Sequence, residues 1–263
     1  MKTFSDKITF VKNIRGCVGI DTIIGCVGGK QHNNKGCYGS CYAVRGLKRC
    51  GVDFNKPVPR YFKSFFHKIN IIRKINKDEL NFFRVGINGD PSIDWNHTIN
   101  ILKNIVRYNE FSLFPKVNKK IVIVTKHWDI LTNEQLEILS KMDVCFNTSV
   151  SALDKKHLLL DRLEQYKRIK KYCKSVLRIV SCDFNLKNEV GKKLGEIQEW
   201  LFKNENVLDT VLRVLQNNKY ALDGIINIEK RKFLNKDCYA SVYNKNTYFG
   251  NCEKCPEMCG INL

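Results

Sequence analysis

Short apolar runs alternate with longer amphipathic stretches along most of the chain after residue 78. The runs are rich in β-branched residues, as buried parallel strands are, and they cover residues 82–87, 120–126, 143–150, 175–182 and 209–215. Between them, apolar residues recur at helical spacing over about residues 97–108, 132–142, 152–172 and 189–203. This regular order of strand, loop and helix predicts βαβ units and a parallel sheet.

Two of the predicted helices carry a capping signal at their start. Thr132 lies three residues before Gln135, and Ser151 lies three residues before Asp154. Each hydroxyl can accept a hydrogen bond from the first turn of the helix that follows. We therefore expect these residues to cap the two helices.

The number of strands sets the expected architecture. A sixth strand comes from residues 8–14 or from a segment near 225–228, and the rest of the first 78 residues reads as loop and cysteines. A complete eight-unit barrel usually needs about 250 residues of repeating units. We expect a shorter, open (β/α)6-type partial barrel, a single domain over residues 1–250, followed by a C-terminal cysteine-cluster extension over 251–263. A doubly wound parallel sheet is the alternative.

Polar residues follow each predicted strand. They occupy residues 88–92, 125–128, 147–151, 181–183 and 216–217. In either architecture a ligand binds beyond the carboxyl ends of the strands. Five consecutive polar ends therefore predict one shared polar site.

Composition narrows the class of protein. The 263 residues are 43% hydrophobic, which is ordinary for a folded chain. No apolar run reaches the roughly 20 residues that a membrane span needs, and the N-terminus lacks the apolar core of a signal peptide. We expect a cytoplasmic protein with no membrane partner.

The charge is unusual for a domain of this size. The chain has 45 Lys+Arg against 26 Asp+Glu, a formal net charge of +19. Such a surface attracts polyanions, so a nucleic acid or nucleotide is the expected partner. Compositional bias is the alternative, because Lys, Asn and Ile are all abundant.

Twelve cysteines fall largely into two groups. In a chain without a secretion signal they are more often metal ligands or core residues than disulfides. The first group is interleaved with glycines, which let a backbone wrap an iron–sulfur cluster or zinc. We expect a metal centre here, with free or redox thiols as the alternative; the group comprises Cys17, Cys26, Cys37, Cys41 and Cys50.

The second group lies near the end of the sequence. Cys252, Cys255 and Cys259 follow a C-x2-C-x3-C pattern, and Cys238 is the nearest candidate for a fourth ligand. A zinc knuckle, a separate iron–sulfur cluster, or a centre shared with the first group all fit this spacing. The remaining cysteines lie beside apolar segments and are expected to be small buried hydrophobes; they are Cys145, Cys173 and Cys182.

Two short motifs resemble a known superfamily. A cysteine-rich loop that ends in Cys41-Tyr42-Ala43 is followed one strand later by Gly89-Asp90-Pro91, and this arrangement is similar to radical S-adenosylmethionine enzymes and related phage-associated three-cysteine proteins. The resemblance implies an open six-unit βα barrel and a [4Fe-4S] cluster held by three cysteines. It also implies a strand end that binds the amino group of S-adenosylmethionine, and an electron donor as partner.

The sequence departs from the family pattern at two places. The usual C-x3-C-x2-C is absent, because Val44 stands where a third cysteine would follow Cys37 and Cys41. The third ligand is then Cys26 or Cys17. Asp90 also replaces the more familiar glutamate.

The resemblance also implies roles for residues at the strand ends. Asp90, with Gly89, would bind the cofactor ammonium, and Ser149, Ser151 and Arg178 its carboxylate or ribose. Tyr42 would also contact the cofactor. Lys126 and His127 remain as the candidate catalytic residues, for substrate binding or proton transfer.

The leading expectation is an S-adenosylmethionine-dependent radical enzyme that modifies or repairs nucleic acid or a nucleotide. The first alternative is a zinc-stabilised, non-catalytic nucleic-acid-binding protein. The second is a metal- or cluster-dependent nuclease or repair enzyme that uses no S-adenosylmethionine. The iron content of the protein separates the zinc alternative from the other two.

Overall fold

A computed structural model describes residues 5–13, 15–49, 53–106, 115–212, 214, 216–228 and 252–263. The strands in these ranges are β1 (Phe10–Lys12), β2 (Val18–Ile20), β3 (Ile23–Ile24), β4 (Val58–Pro59), β5 (Phe82–Val85), β6 (Lys120–Thr125), β7 (Val144–Val150), β8 (Lys174–Ser181) and β9 (Val207–Val211). The helices are α1 (Gln31–Asn34), α2 (Tyr42–Arg49), α3 (Phe65–Lys77), α4 (Trp95–Ile105), α5 (Asn133–Ser140), α6 (Lys156–Ile169), α7 (Glu189–Phe202) and α8 (Lys219–Leu222). None of these described helices is long and apolar enough to cross a membrane.

Seven strands form one sheet in the order β1-β2-β5-β6-β7-β8-β9. β1 pairs antiparallel with β2, and every other neighbouring pair is parallel. β3 and β4 form a small separate antiparallel pair. The expected α/β fold with a mostly parallel sheet is confirmed, whereas the described residues do not show the expected open barrel.

The five predicted strands appear as β5 to β9, each within a few residues of its predicted range. The sixth parallel strand was not predicted, because β2 is a three-residue run between a cysteine and a buried aspartate. Residues 8–14 do contain a strand, β1, but it is antiparallel to its neighbour. Residues 225–228 contribute only an isolated bridge, between Phe184 and Ile226.

The four predicted helices appear as α4 to α7. The capping box of Thr132 and Gln135 is present at the start of α5. The prediction that Ser151 caps the next helix is wrong, because α6 begins only at Lys156. Ser151 instead forms a tight turn in which its backbone N–H donates to the Asp154 carboxylate at 2.9 Å.

Helix α3 corrects the expectation that the first 78 residues hold only loop and cysteines. Ser64 caps it by accepting a hydrogen bond from the His67 N–H at 3.1 Å. Its buried face consists of isoleucines at helical spacing, among them Ile69, Ile72 and Ile75. The helix therefore has an ordinary amphipathic pattern, although it lies in the part of the chain that was expected to hold loop and cysteines.

The two faces of the sheet have different partners. Leu177 and Ile179 of β8 pack against α6 and α7. Arg178, between them, points to the opposite face because side chains alternate along a strand. The C-terminal residues lie on that opposite face: Asn147 of β7 donates to the Cys259 carbonyl at 2.8 Å. Residues 252–263 thus lie against the sheet and do not extend away from the domain.

Candidate metal and cofactor site

Residues 25–41, which carry Cys26, Cys37 and Cys41, are called the cysteine loop below. This loop begins next to the carboxyl end of β5. The Gly25 N–H donates to the Asn88 carbonyl, and the Asp90 N–H donates to the Gly25 carbonyl, each at 3.2 Å. A Cβ at position 89 would lie 2.1 Å from the Ile23 carbonyl oxygen, so only glycine permits this approach. The Gly89-Asp90 strand end therefore lies next to Cys26, the first cysteine of the loop.

Three thiols gather in this loop. Cys26 packs with Cys41 and Trp128 in a small apolar cluster, and a Cβ at Gly28 would lie 2.8 Å from the Cys37 sulfur. The Gly28 N–H donates to the Cys26 sulfur at 3.3 Å. Burial raises the pKa of the Cys26 thiol, and the negative charges of Asp90 and Cys37 raise it further.

Cys17 does not belong to this group. Its thiol is buried in the main core, against which Cys252 and Cys259 also pack. Of the two candidates for the third ligand, the structure brings Cys26 to Cys37 and Cys41. Cys50 and Cys238 lie outside the described residues.

Asp90 joins the ends of β5 and β6. Its Oδ1 accepts hydrogen bonds from the Ser92 N–H at 3.0 Å, the Ser92 hydroxyl at 2.7 Å and the Thr125 hydroxyl at 2.7 Å. Its Oδ2 accepts from the Lys126 N–H at 2.8 Å. Each carboxylate oxygen has about two lone pairs, and Oδ2 accepts one hydrogen bond from the described residues, so it can accept one more.

Lys126 lies in a network of buried charges that sequence analysis missed. Its ammonium contacts the Tyr38 hydroxyl and lies 3.7 Å from Asp154 Oδ1. Arg162 Nη1 lies 2.8 Å from the same oxygen, and Tyr38 donates to it at 2.7 Å. Burial raises the pKa of Asp154, but Lys126 and Arg162 lower it more, so it lies below its ordinary value.

This network had only weak signals in the sequence. Tyr38 lies between two loop cysteines, and Asp154 was assigned to a helix cap. Arg162 looks like any surface residue of an amphipathic helix, yet its side chain is only 3% exposed. Its partner lies on a different element, so periodicity could not reveal the pair.

His127 occupies a core position. Its ring lies near Trp95 and Phe146, and its Nε2 hydrogen-bonds the Thr148 hydroxyl at 3.0 Å. Burial, with the nearby charge of Arg162, lowers the pKa of His127 to about 3. His127 is therefore a neutral, buried imidazole at ordinary pH, and its role in proton transfer stays a prediction.

The remaining predicted cofactor residues are more scattered. The Ser151 hydroxyl donates to the Val180 carbonyl at 2.8 Å, while Ser149 lies in register with Arg178 on the neighbouring strand. Arg178 Nη1 is 3.4 Å from Asn147 Oδ1, on the face that the C-terminal residues cover. The Tyr42 hydroxyl donates to the Ile87 carbonyl, at the end of β5.

The cysteine loop contacts residues that follow several strands of the sheet. Tyr38 of the loop donates to Asp154 and its carbonyl accepts from Asn218 at 2.7 Å; these two residues lie just past the predicted polar ends of β7 and β9. Asp90 after β5 accepts from the Lys126 N–H after β6. The end of β8 bonds elsewhere, since Ser181 donates to Asp209 at 2.6 Å. One polar site shared by all five predicted ends stays a prediction.

The thiols of Cys26, Cys37 and Cys41 are suitable ligands for a thiophilic metal group, although their sulfurs do not surround a common metal position. Within the ranges that the structure describes, no three His, Cys, Asp or Glu side chains form a ready-made metal site. Three free thiols with an amide already directed at one sulfur are nevertheless the donors that iron–sulfur clusters use. As expected, Cys145 and Cys182 are buried in apolar surroundings.

Comparisons of the chain with protein-family models, with curated proteins and with solved structures find no match.

Proposed function

We propose that the chain is an iron–sulfur enzyme of the radical S-adenosylmethionine type, with Cys26, Cys37 and Cys41 as cluster ligands. The observation that carries this proposal is the meeting of these thiols beside Asp90, at the carboxyl ends of β5 and β6. Three thiols match the number of protein ligands in the enzymes that the motifs resemble. Ligands are expected at this edge, because parallel α/β sheets bind them beyond the carboxyl ends of the strands.

Cys26, Cys37 and Cys41 would hold a [4Fe-4S] cluster, which would bind S-adenosylmethionine at its remaining iron and would supply the electron for cleavage of the sulfonium. In this proposal the chain itself binds and orients S-adenosylmethionine. The free acceptor position at Asp90 Oδ2 suits an ammonium group. Tyr42, 57% exposed, offers an aromatic face for the cofactor's base. Lys126 places a cation at the same edge, where it is 12% exposed and paired with Asp154.

We further propose that the sheet is an open barrel of six βα units. The order of the parallel strands, β2 and then β5 to β9, follows the chain without a reversal, whereas a doubly wound sheet contains a switch point. Both α6 and α7 pack on one face of β8. The other face is thereby left for the cysteines and their ligands, as the inside of a barrel would be.

The proposed substrate is a nucleic acid or a nucleotide. The net charge of +19 favours a polyanion, and the start of α3 adds exposed rings to this charge. Phe66 is 81% exposed, and the Lys68 ammonium lies 5.4 Å from the Phe65 ring centroid. Exposed aromatic rings beside cations bind bases and phosphates of single strands.

The test is anaerobic purification of the full chain, followed by reconstitution with iron and sulfide. We expect a brown protein whose reduced electron paramagnetic resonance spectrum changes when S-adenosylmethionine is added, and which forms 5′-deoxyadenosine with dithionite as electron donor. Cys37→Ser should lose both the spectral change and the product. Cys173→Ser, which alters a partly buried thiol outside the loop, is the matched control and should retain both.

Two results would overturn the proposal. A brown Cys37→Ser protein with an unchanged response to S-adenosylmethionine would remove Cys37 from the site. A colourless wild-type protein that contains zinc and binds oligonucleotides would support the zinc-stabilised nucleic-acid-binding function instead.

A further inference from the structure

The C-terminal cysteines lie against the amino-end half of the sheet, far along the chain from the loop cysteines. The Cys252 N–H donates to the Arg15 carbonyl at 2.7 Å, just before β2. The Lys174 ammonium, at the start of β8, donates to the Ile261 carbonyl at 2.6 Å. Gly260 approaches so closely that a Cβ would lie 2.6 Å from a methyl carbon of Val176. This segment is held at several independent points.

Four thiols lie in the region where this segment meets the start of β2, although they are not arranged as a ready-made metal site. Cys252 and Cys259 pack against the core cluster that contains Cys17, and the Cys255 N–H donates to the Cys252 carbonyl at 3.3 Å. The three thiols of Cys17, Cys252 and Cys259 are also electrostatic neighbours, as are those of Cys255 and Cys259. All four are free.

Two arginines face these thiols. Arg84 of β5 and Arg178 of β8 are the charged neighbours of Cys259, and Arg84 is also a neighbour of Cys17 and Cys252. The Arg84 Nε is shielded from solvent and has no hydrogen-bond partner among the described residues. Two guanidinium groups beside neutral thiols would repel one another without compensation.

The backbone adds a third observation. Met258, Cys259 and Gly260 have successive positive φ angles of 45°, 56° and 88°. Within this turn the N–H groups of Met258 and Gly260 donate to the carbonyls of Cys255 and Glu257. A non-glycine residue accepts this conformation only at a cost, which a ligated Cys259 would explain.

We propose that Cys17, Cys252, Cys255 and Cys259 form a second metal centre with four thiolate ligands, on the sheet face opposite the helices. Four thiolates around Zn²⁺ or a [4Fe-4S]²⁺ core carry a net double negative charge, which Arg84 and Arg178 balance. With all four protein ligands in place, this centre has no position open for substrate. Its role is to fasten the C-terminal segment to β2, and it does not depend on the proposed function of the loop cysteines.

The experiment measures metal and sulfide per chain in the full-length protein after anaerobic purification and reconstitution. Cys17→Ser and Cys255→Ser should each remove the metal of one centre, and the double variant should remove no more than either single one. Cys37→Ser should leave this centre loaded, and Cys173→Ser should lose nothing. Zinc without sulfide identifies a zinc site, whereas iron with sulfide identifies a cluster, and either result supports the ligand set.

Alkylation mapping of the wild-type protein tests the same ligands without a variant that could fail to fold. The four thiols should be protected from iodoacetamide in the loaded protein and become reactive together when a chelator removes the metal. Reaction of Cys17 in the loaded protein, while the other three stay protected, would overturn the ligand set. Full metal content in both Cys17→Ser and Cys255→Ser would overturn the centre itself.

Discussion

The cysteine loop and the C-terminal cysteine segment both present thiols, but the charged groups around the two sets of thiols differ. Beside the loop thiols lie a carboxylate, Asp90, and a lysine, Lys126. Beside the C-terminal thiols lie two arginines, Arg84 and Arg178. A site with charges of both signs and only three thiols suits an exchangeable ligand. Four thiols balanced by two fixed cations suit a permanent anionic centre.

The largest expected effect separates the two groups by activity. Cys41→Ser should reduce 5′-deoxyadenosine formation by more than about 100-fold, because loss of a metal ligand exceeds the 10–100-fold effect of an outer-shell change. Cys255→Ser should retain activity within a few-fold while it lowers the melting temperature. Product assays and thermal scans on the same preparations measure both. Equal loss of activity in the two variants would mean that both groups serve one reactive centre.

The second-largest expected effect is on the stability of the protein, through the buried charges beside the cysteine loop. Asp154→Asn should lower the free energy of unfolding by about 3–5 kcal/mol, because it leaves the buried charges of Arg162 and Lys126 without their partner. Urea unfolding at neutral pH measures the loss. Glu205→Gln breaks the exposed pair with Lys170 and should change stability little. Similar losses in both variants would show that burial adds nothing to the Asp154 network.

The interactions of Asp154 with Lys126 and Arg162 also predict how the stability of the protein depends on pH. The folded-state pKa of Asp154 lies below its ordinary value, so its contribution is present above the unfolded-state pKa of about 3.9 and is lost as pH falls through the folded-state value. The wild-type protein should therefore lose stability below about pH 4. The Asp154→Asn protein should show a flatter acid limb in urea titrations, and identical limbs would contradict the assignment.

Two glycines of the loop region should respond in opposite directions. Gly28→Ala places a Cβ 2.8 Å from the Cys37 sulfur and 2.7 Å from the Trp128 ring, so overpacking should cost about 1–3 kcal/mol. Gly46→Ala, in α2, meets nothing within 4 Å and should stabilise the helix by about 0.5–1 kcal/mol. Urea unfolding decides the sign. A stabilised Gly28→Ala protein would mean that the loop is looser than the structure shows.

The smallest effect concerns the approach of a polyanion. Lys68 lies near the start of α3, and Lys77 at its end, just before the amino end of β5. If nucleic acid enters at the carboxyl edge, Lys68→Gln should reduce the salt slope of oligonucleotide binding by about one unit. Lys77→Gln should leave that slope unchanged. Fluorescence titrations over a salt series measure both, and equal slopes would show that the charge of α3 is not directed toward the site.

Much of the fold followed from local patterns. The β-branched runs located β5 to β9, and the Thr132 capping box located α5. Strand β2 was not predicted because its three residues stand among cysteines and glycines. Helix α3 was not predicted either, although its isoleucines recur at helical spacing and neither cysteine nor glycine lies within it. The motif ending at Cys41-Tyr42 and the Gly89-Asp90 strand end did indicate the candidate site. Tyr38 and Arg162 did not, because their partners lie on other elements.

The sequence by itself determined which residue types the protein brings to its sites: cysteines in glycine-rich and C-terminal groups, an aspartate after a buried strand, and an excess of cations. Only the tertiary structure decided how the cysteines divide. Cys17 and Cys26 are near neighbours in sequence, yet β2 and β3 lie between them. An extended strand advances about 3.3 Å per residue, so it carries the chain from the amino end of the sheet, where Cys17 meets Cys259, to the carboxyl end, where Cys26 meets Cys41.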